Sequence, residues 1–260
     1  EHIGSPSRLT VELRLLLTAV QYFTRLPMPS WVGHSAEQLR GSARYFSLVG
    51  ILVGGVGAFA LWATSSIFPT PLPAILSTAI TIFLTGAFHE DGLADTFDGL
   101  GGGATRERAL EIMKDPRVGT FGMAALLMTL LIKIAALNSI STELAVIVLV
   151  AGHAFSRTCA ISLLYVGNYV GNTEQSRAGV VAQKMSGGEF AVAATIGVIP
   201  LLWCGQQGIV GAICALLVLL VLARWFIRRL GGFTGDTLGA AQQLTEIAFY
   251  LGIGASWNFI

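Results

Sequence analysis

The stretch LPAILSTAITIFLTGAFHEDGLADTFDG, residues 72–99, is apolar from Leu72 to Phe88 and then places Glu90, Asp91, Asp95 and Asp98 within nine positions. Carboxylates this close repel one another, so a divalent cation or a proton is expected to offset their charge at the mouth of the hydrophobic segment. On a helix, Asp91, Asp95 and Asp98 fall at i, i+4 and i+7, within an arc of roughly 60°, while Glu90 lies about 100° to the side. The spacing therefore predicts carboxylates converging on one ion or a close pair of ions.

Outward from this segment, the chain is 53% hydrophobic and only 12% charged. Its apolar runs approach the roughly 20 residues that cross a bilayer, and several carry no charge. The expected fold is an all-α integral membrane protein, a polytopic bundle of about seven transmembrane helices. The spans fall near 45–68, 72–88, 119–138, 144–166, 190–204, 208–227 and 244–260. The connections at 69–73, 138–143 and 204–208 contain no Lys or Arg. Nearly all basic residues lie before the first span or in the other three loops, among them Arg106, Arg108, Lys114, Arg117, Arg177, Lys184, Arg228 and Arg229. The positive-inside rule then puts the N-terminus and the acidic cluster on the cytoplasmic side of a bacterial inner membrane. Leu9 to Leu26 is interrupted by Glu12, Arg14 and Arg25, which suits an interfacial helix better than a signal peptide or a full span. Residues 1–7 read as a flexible end. The whole of 1–260 reads as one domain, with a cytoplasmic or interfacial segment at 1–44 and a cytoplasmic active-site loop at 89–118.

No basic stripe with interleaved aromatics appears, which argues against a nucleic-acid partner. Cys159, Cys204 and Cys214 lie in predicted spans without metal-ligand spacing and read as core residues. The loops carry more chemistry. Gly101 to Gly103 break the acidic helix, Thr105 is placed to cap a short helix through Met113, and Pro116 ends it. Lys114, Asp115 and Arg117 thereby return toward the carboxylates, a plausible phosphate site. The loop at 231–241 adds Thr234, Asp236 and Thr237. His89 is either a ligand or a residue packed behind the site. Arg157, near the middle of a span, needs a substrate anion, a carboxylate or a carbonyl as partner. Lys133 is close enough to a span end to snorkel. Gly50 and Gly54 form a small-xxx-small pair for close helix packing.

The segments TRLPMP (24–29), FHEDGLADTFDGL (88–100), RALEIMKDPRVGTFG (108–122) and TGDTLGAAQQLTE (234–246) together resemble the cobalamin synthase family, the adenosylcobinamide-GDP ribazoletransferases of cobamide assembly. The resemblance runs in order over nearly the whole chain. It implies a membrane transferase that uses Mg²⁺ to join adenosylcobinamide-GDP to α-ribazole, or its 5′-phosphate, with release of GMP. It also implies that Glu90, Asp91, Asp95 and Asp98 form the metal and diphosphate site, with Lys114, Asp115, Arg117 and Asp236 around it.

The candidate catalytic set is thus Glu90, Asp91, Asp95, Asp98, Lys114, Asp115 and Asp236, the first four also as metal ligands. Candidate substrate contacts are Arg25, His89, Arg117, Arg157, Thr234 and Thr237. A ribose hydroxyl must attack a diphosphate phosphorus, which calls for cations on the phosphate oxygens and one carboxylate to orient or deprotonate the hydroxyl. Glu90, Asp115 and Asp236 all remain open for that role. Another Mg-dependent phosphotransferase or prenyltransferase acting on a diphosphate, or a cation transporter, is the alternative. A corrinoid needs an open cytoplasmic or interfacial cavity, which a homo-oligomer would help to wall.

Overall fold

The structure, a computed structural model, describes residues 7–171, 177–181 and 185–255. The first six residues, Lys184 and the last five positions of the seventh expected span lie outside the described residues. The first helices are α1 (Arg8–Phe23), α2 (Ala36–Ser42), α3 (Phe46–Ser65), α4 (Leu72–Thr85), α5 (Phe88–Gly102) and α6 (Arg106–Ile112). They are followed by α7 (Thr120–Asn138), α8 (Thr142–Val166), α9 (Arg177–Val181), α10 (Gly187–Val198), α11 (Gly205–Leu230) and α12 (Gly235–Gly254). No strand is present among the described residues. An isolated parallel bridge from Tyr169 to Phe233 ties the turn after α8 to the loop before α12.

Four helical stretches are long and apolar enough to cross a membrane: Ala36–Ser65, Thr120–Asn138, Thr142–Val166 and Gly187–Leu230. Helices α4 and α5 pass the same test only as a pair bent by 89°, which raises the number to five. The seven expected crossings are therefore not present as seven such helices among the described residues. At 14 residues, α4 reaches only about 21 Å, short of the hydrocarbon thickness. The stretches expected at 190–204 and 208–227 are joined by a tight 3₁₀ segment, Ile199–Cys204, and by Gly205 at φ 58°. The final helix starts at Gly235, well before the expected 244, and carries buried Gln242, Gln243 and Glu246. As expected, α1 is amphipathic: it buries Leu15, Ala19, Val20 and Phe23 and leaves Leu9 and Val11 exposed.

Two consecutive left-handed residues, Gly86 (φ 66°) and Ala87 (φ 59°), make the corner between α4 and α5. The Ala87 N–H closes the end of α4 by donating to Ile82 O at 2.9 Å. Residue 25 braces this corner, since the Arg25 N–H donates to Leu84 O at 2.8 Å and its side chain crosses directly over Gly86. The acidic helix thus leaves the apolar one at nearly a right angle.

Packing in the bundle relies on backbone approach. Helix α3 lies against α8 through Gly50 and Gly54, and a methyl on Gly54 would stand 2.7 Å from Leu149 O and 2.8 Å from Val150 Cα. The small-xxx-small pair is used as expected. Helix α12 runs through the centre, against α5, α7, α8 and α11, with 14 of its 20 residues buried.

Because α8 backbone leaves no room, Gly54→Val is expected to destabilise the protein by about 1–3 kcal/mol. Gly55→Val, where an added Cβ meets nothing within 4 Å, serves as the control. Thermal unfolding in detergent checks both; equal midpoints would show that the α3–α8 contact is not this close.

Candidate active site

The site is built where α5 crosses α12, and glycines permit the crossing. A Cβ on Gly92 would lie 2.9 Å from Asp236 O, and one on Gly239 would lie 3.2 Å from His89 O and 3.4 Å from Gly92 Cα. The acidic motif and the TGDTLGA motif are therefore interlocked, and Asp236 joins Asp91 and Asp95. Asp91 is exposed, while Asp95 and Asp236 are half-buried. Burial raises the Asp95 carboxyl to about 7, with the charges of Asp91, Asp236 and Asp98 adding to it. Burial, and then the charge of Asp91, raises Asp236 to about 6. None of the three has an ion-pair partner among the described residues.

The other two acidic residues of the motif are engaged elsewhere. Asp98 accepts the Gly119 N–H at 2.6 Å and the Gly122 N–H at 2.8 Å, capping the start of α7 with both carboxylate oxygens. Glu90 points into the protein and accepts from Gln243 Nε2 at 2.9 Å, leaving Oε2 buried without a partner. Among the described residues no group of three or more His, Cys, Asp or Glu is gathered tightly enough to enclose a metal. The three uncompensated carboxylates still suit Mg²⁺, which takes one or two carboxylates and fills its remaining positions with water and substrate phosphate.

In the loop before α7, Arg117 is exposed and grips Asp115 through Nε at 2.9 Å and Nη2 at 2.6 Å. This pairing holds Asp115 down at about 2, which makes it a poor proton acceptor. Lys114 is exposed and makes no ion pair among the described residues. Thr105 caps α6 as expected, accepting the Arg108 N–H at 3.2 Å. Thr234 and Thr237 form the capping box of α12, Thr237 Oγ1 accepting the Thr234 N–H at 2.8 Å. That cap is why the helix begins so early and why Asp236 sits in its first turn.

On the other flank of the crossing lies a cleft of about 500 Å³, counting its open mouth. Tyr22, Phe23, Phe46 and Phe88 wall it, and His89 stacks on Phe23 at 5.3 Å. Arg157 and Gln242 are at its polar end. Arg157 donates to His153 O at 2.9 Å, so of the partners open to it a carbonyl is the one made. Deeper in the bundle, Glu246 is fully buried and contacts Lys133 Nζ at 2.5 Å, Gln242 Nε2 at 2.6 Å and Tyr250 Oη at 3.0 Å. Lys133 thus turns inward to pair and does not snorkel. Sequence reasoning assigned nothing to Glu246, Gln242, Gln243 or the aromatic wall. The available signal was that Lys133 and Glu246 are isolated charges within helices that must bury them, so each requires a partner.

Fold and site together define a multi-helix membrane protein with a carboxylate cluster where two helices cross. A family profile described as cobalamin-5-phosphate synthase matches residues 15–254, and the chain belongs to that family. Relatives named adenosylcobinamide-GDP ribazoletransferase include one from Leptothrix cholodnii, 46% identical with 93% of this chain and 95% of the relative covered. One from Vibrio cholerae is 45% identical with 94% of each chain covered, and one from Shewanella amazonensis is 44% identical with 95% and 97% covered. No solved structure matches the chain.

Two outcomes are expected. The raised carboxyl of Asp95 binds its proton more tightly in the folded state, so its contribution is complete below about pH 4 and is lost as pH rises toward about 7. In metal-free buffer Asp95→Asn should flatten the fall in melting temperature across that window, and an unchanged pH profile would contradict the raised value. Asp98→Ala strands two N–H groups and should cost about 1–3 kcal/mol, with faster proteolysis near 114–122. Normal stability and protection would show that the cap is not formed.

Proposed function

We propose that this chain transfers the cobinamide phosphate of adenosylcobinamide-GDP to α-ribazole or its 5′-phosphate, giving adenosylcobalamin or its 5′-phosphate and releasing GMP. Family membership and the names of its relatives support the reaction. The observation that carries the placement is the Gly92–Gly239 crossing, which brings three carboxylates without basic partners to one spot.

Asp91 and Asp95 would hold Mg²⁺, which when bound would neutralise charge on the diphosphate and on departing GMP. Lys114 and Arg117, both exposed at the adjoining loop, bind the phosphates; Arg117 does so by exchanging Asp115 for substrate oxygens. Asp236, with its carboxyl raised to about 6, accepts the proton of the attacking ribose hydroxyl. Of the three carboxylates considered for that step, Asp115 is held by Arg117 and Glu90 by Gln243. The chain crosses the bacterial inner membrane seven times in this proposal, with α4, α10, α11 and α12 as separate crossings and the site facing the cytoplasm. In support, Arg229 at the end of α11 donates to Gly103 O at 2.6 Å, which gathers the basic residues of the last loop and the acidic helix at one end of the bundle.

Protein reconstituted in lipid with adenosylcobinamide-GDP, α-ribazole and Mg²⁺ should form cobalamin and GMP in equal amounts, and a chelator should stop both. Asp91→Asn and Asp95→Asn should abolish turnover while the protein stays folded. Asp236→Asn should lower kcat by about 10²–10⁴-fold, and the acid limb of the wild-type kcat/KM profile should be missing from the variant. A lipid-chain-bearing product, or ion flux without turnover, would overturn the proposal.

A further inference from the structure

We propose that the open groove between α5, α6 and the start of α7 seats the guanine of the leaving nucleotide, read by Asp115 once Arg117 has turned to the phosphates. This inference rests on the proposed reaction and assigns its preference for a guanine nucleotide to one side chain.

The groove has the room and the place. The space in it open to water is about 470 Å³, within the roughly 300–1,000 Å³ of sites for small ligands, against about 50 Å³ in the aromatic cleft. Asp98 and Gly102 of α5 line it. Asp98 stands one turn after Asp95, and its charge is among those that act on Asp95. The groove thus opens on the same flank of the helix crossing as the carboxylates, and a nucleotide lying along it directs its phosphates toward them.

The walls offer a face for a ring. Val118 and Phe121 line the groove and are 57% and 56% exposed. Phe121 lies against Gly101, where a Cβ would stand 2.7 Å from its Cγ, so the glycines that end the acidic helix leave the ring its seat. An exposed aromatic face of this kind stacks on any base.

The choice of base comes from Asp115. Its carboxylate takes three N–H groups of Arg117, the backbone N–H at 3.0 Å and Nε at 2.9 Å on Oδ1, and Nη2 at 2.6 Å on Oδ2. The Arg117 side chain is 86% exposed, and an ion pair so open to water costs little to exchange. When the guanidinium moves to phosphate, the backbone N–H still holds Oδ1, and a planar pair of acceptors is left already oriented. Guanine presents two parallel donors, N1–H and the 2-amino group, which match a carboxylate bidentately as a guanidinium does. Adenine has a lone pair at N1, and the base of α-ribazole has no ring N–H, so each would set a lone pair against the carboxylate. The Asp115–Arg117 pair therefore closes on itself without ligand and separates into a base reader and a phosphate clamp when the nucleotide enters.

The test uses the full chain in lipid nanodiscs and equilibrium dialysis with GMP, IMP and AMP in the presence of Mg²⁺. Wild type should bind GMP about tenfold more tightly than IMP, which lacks only the 2-amino group, and AMP more weakly still. In Asp115→Asn the ratio of GMP to IMP affinity should fall to within twofold. Freeing Arg117 alters all three nucleotides alike, so the ratio isolates contact with the base. Phe121→Leu should weaken GMP and IMP by the same factor and keep their ratio. Wild type that fails to bind GMP, or binds GMP and IMP equally, would overturn the inference without recourse to any variant. So would a tenfold ratio that survives in folded Asp115→Asn, or displacement of GMP by phosphate-free adenosylcobinamide, which would give the groove to the corrin amides. An Asp115-dependent preference for GMP without cobalamin formation would uphold the groove and overturn the reaction. Cobalamin formation by protein that binds GMP and IMP equally would do the reverse.

Discussion

The rest of the molecule depends on the contact of Gly92 with Gly239. Helix α12 comes so near to α5 that a side chain on Gly92 would enter the backbone of Asp236. Without that approach the first turn of α12 would stand off by the width of at least a methyl group, and Asp236 would leave the company of Asp91 and Asp95. The same contact fixes the separation of the two flanks, carboxylates on one and aromatic cleft on the other. Close approach in a membrane bundle is chiefly a matter of small residues, because lipid is as apolar as leucine and gives helices little reason to associate through large side chains.

Much of this was legible in the chain. The apolar runs mark the helices, Thr105 marks the start of α6, and the interruption by Glu12, Arg14 and Arg25 marks α1 as a surface helix. What was hidden is nonlocal. The i, i+4, i+7 spacing of Asp91, Asp95 and Asp98 correctly describes one helical face. Spacing cannot reveal that Gly119 and Gly122, more than twenty residues onward, supply N–H groups to Asp98. The two glycines have to be glycine for that carboxylate to come in, since a Cβ on Gly119 would stand 2.5 Å from Asp98 Oδ1. The helical start at Gly235 was written in the TGDT sequence as a cap, but hydropathy alone places the boundary where polarity falls, some ten residues later.

The corner at Gly86 and Ala87 shows how a local strain serves a distant site. A left-handed alanine is unfavourable by itself, and it persists only where neighbours determine it. Here the end of α4 is closed by the Ala87 N–H, and Arg25 is laid across the glycine. The turn gives the acidic helix its direction, nearly perpendicular to α4, so that it meets α12 broadside. The TRLPMP segment, some sixty residues before the acidic motif, acts on the site through this brace.

Glu246 sets the remaining coordinate, the position of α12 along its own axis. A glycine crossing is smooth and resists sliding poorly. A carboxylate buried among Lys133, Gln242 and Tyr250 from two helices does resist, because a shift of one turn would expose an unpaired charge to an apolar interior. Buried ion pairs contribute little net stability relative to well-packed apolar groups, and their use in this bundle is register. Gln242 belongs to that network and to the cleft at once. The group that locks α12 therefore also lines the cleft, and the register of the helix and the shape of the cleft are set by the same side chain.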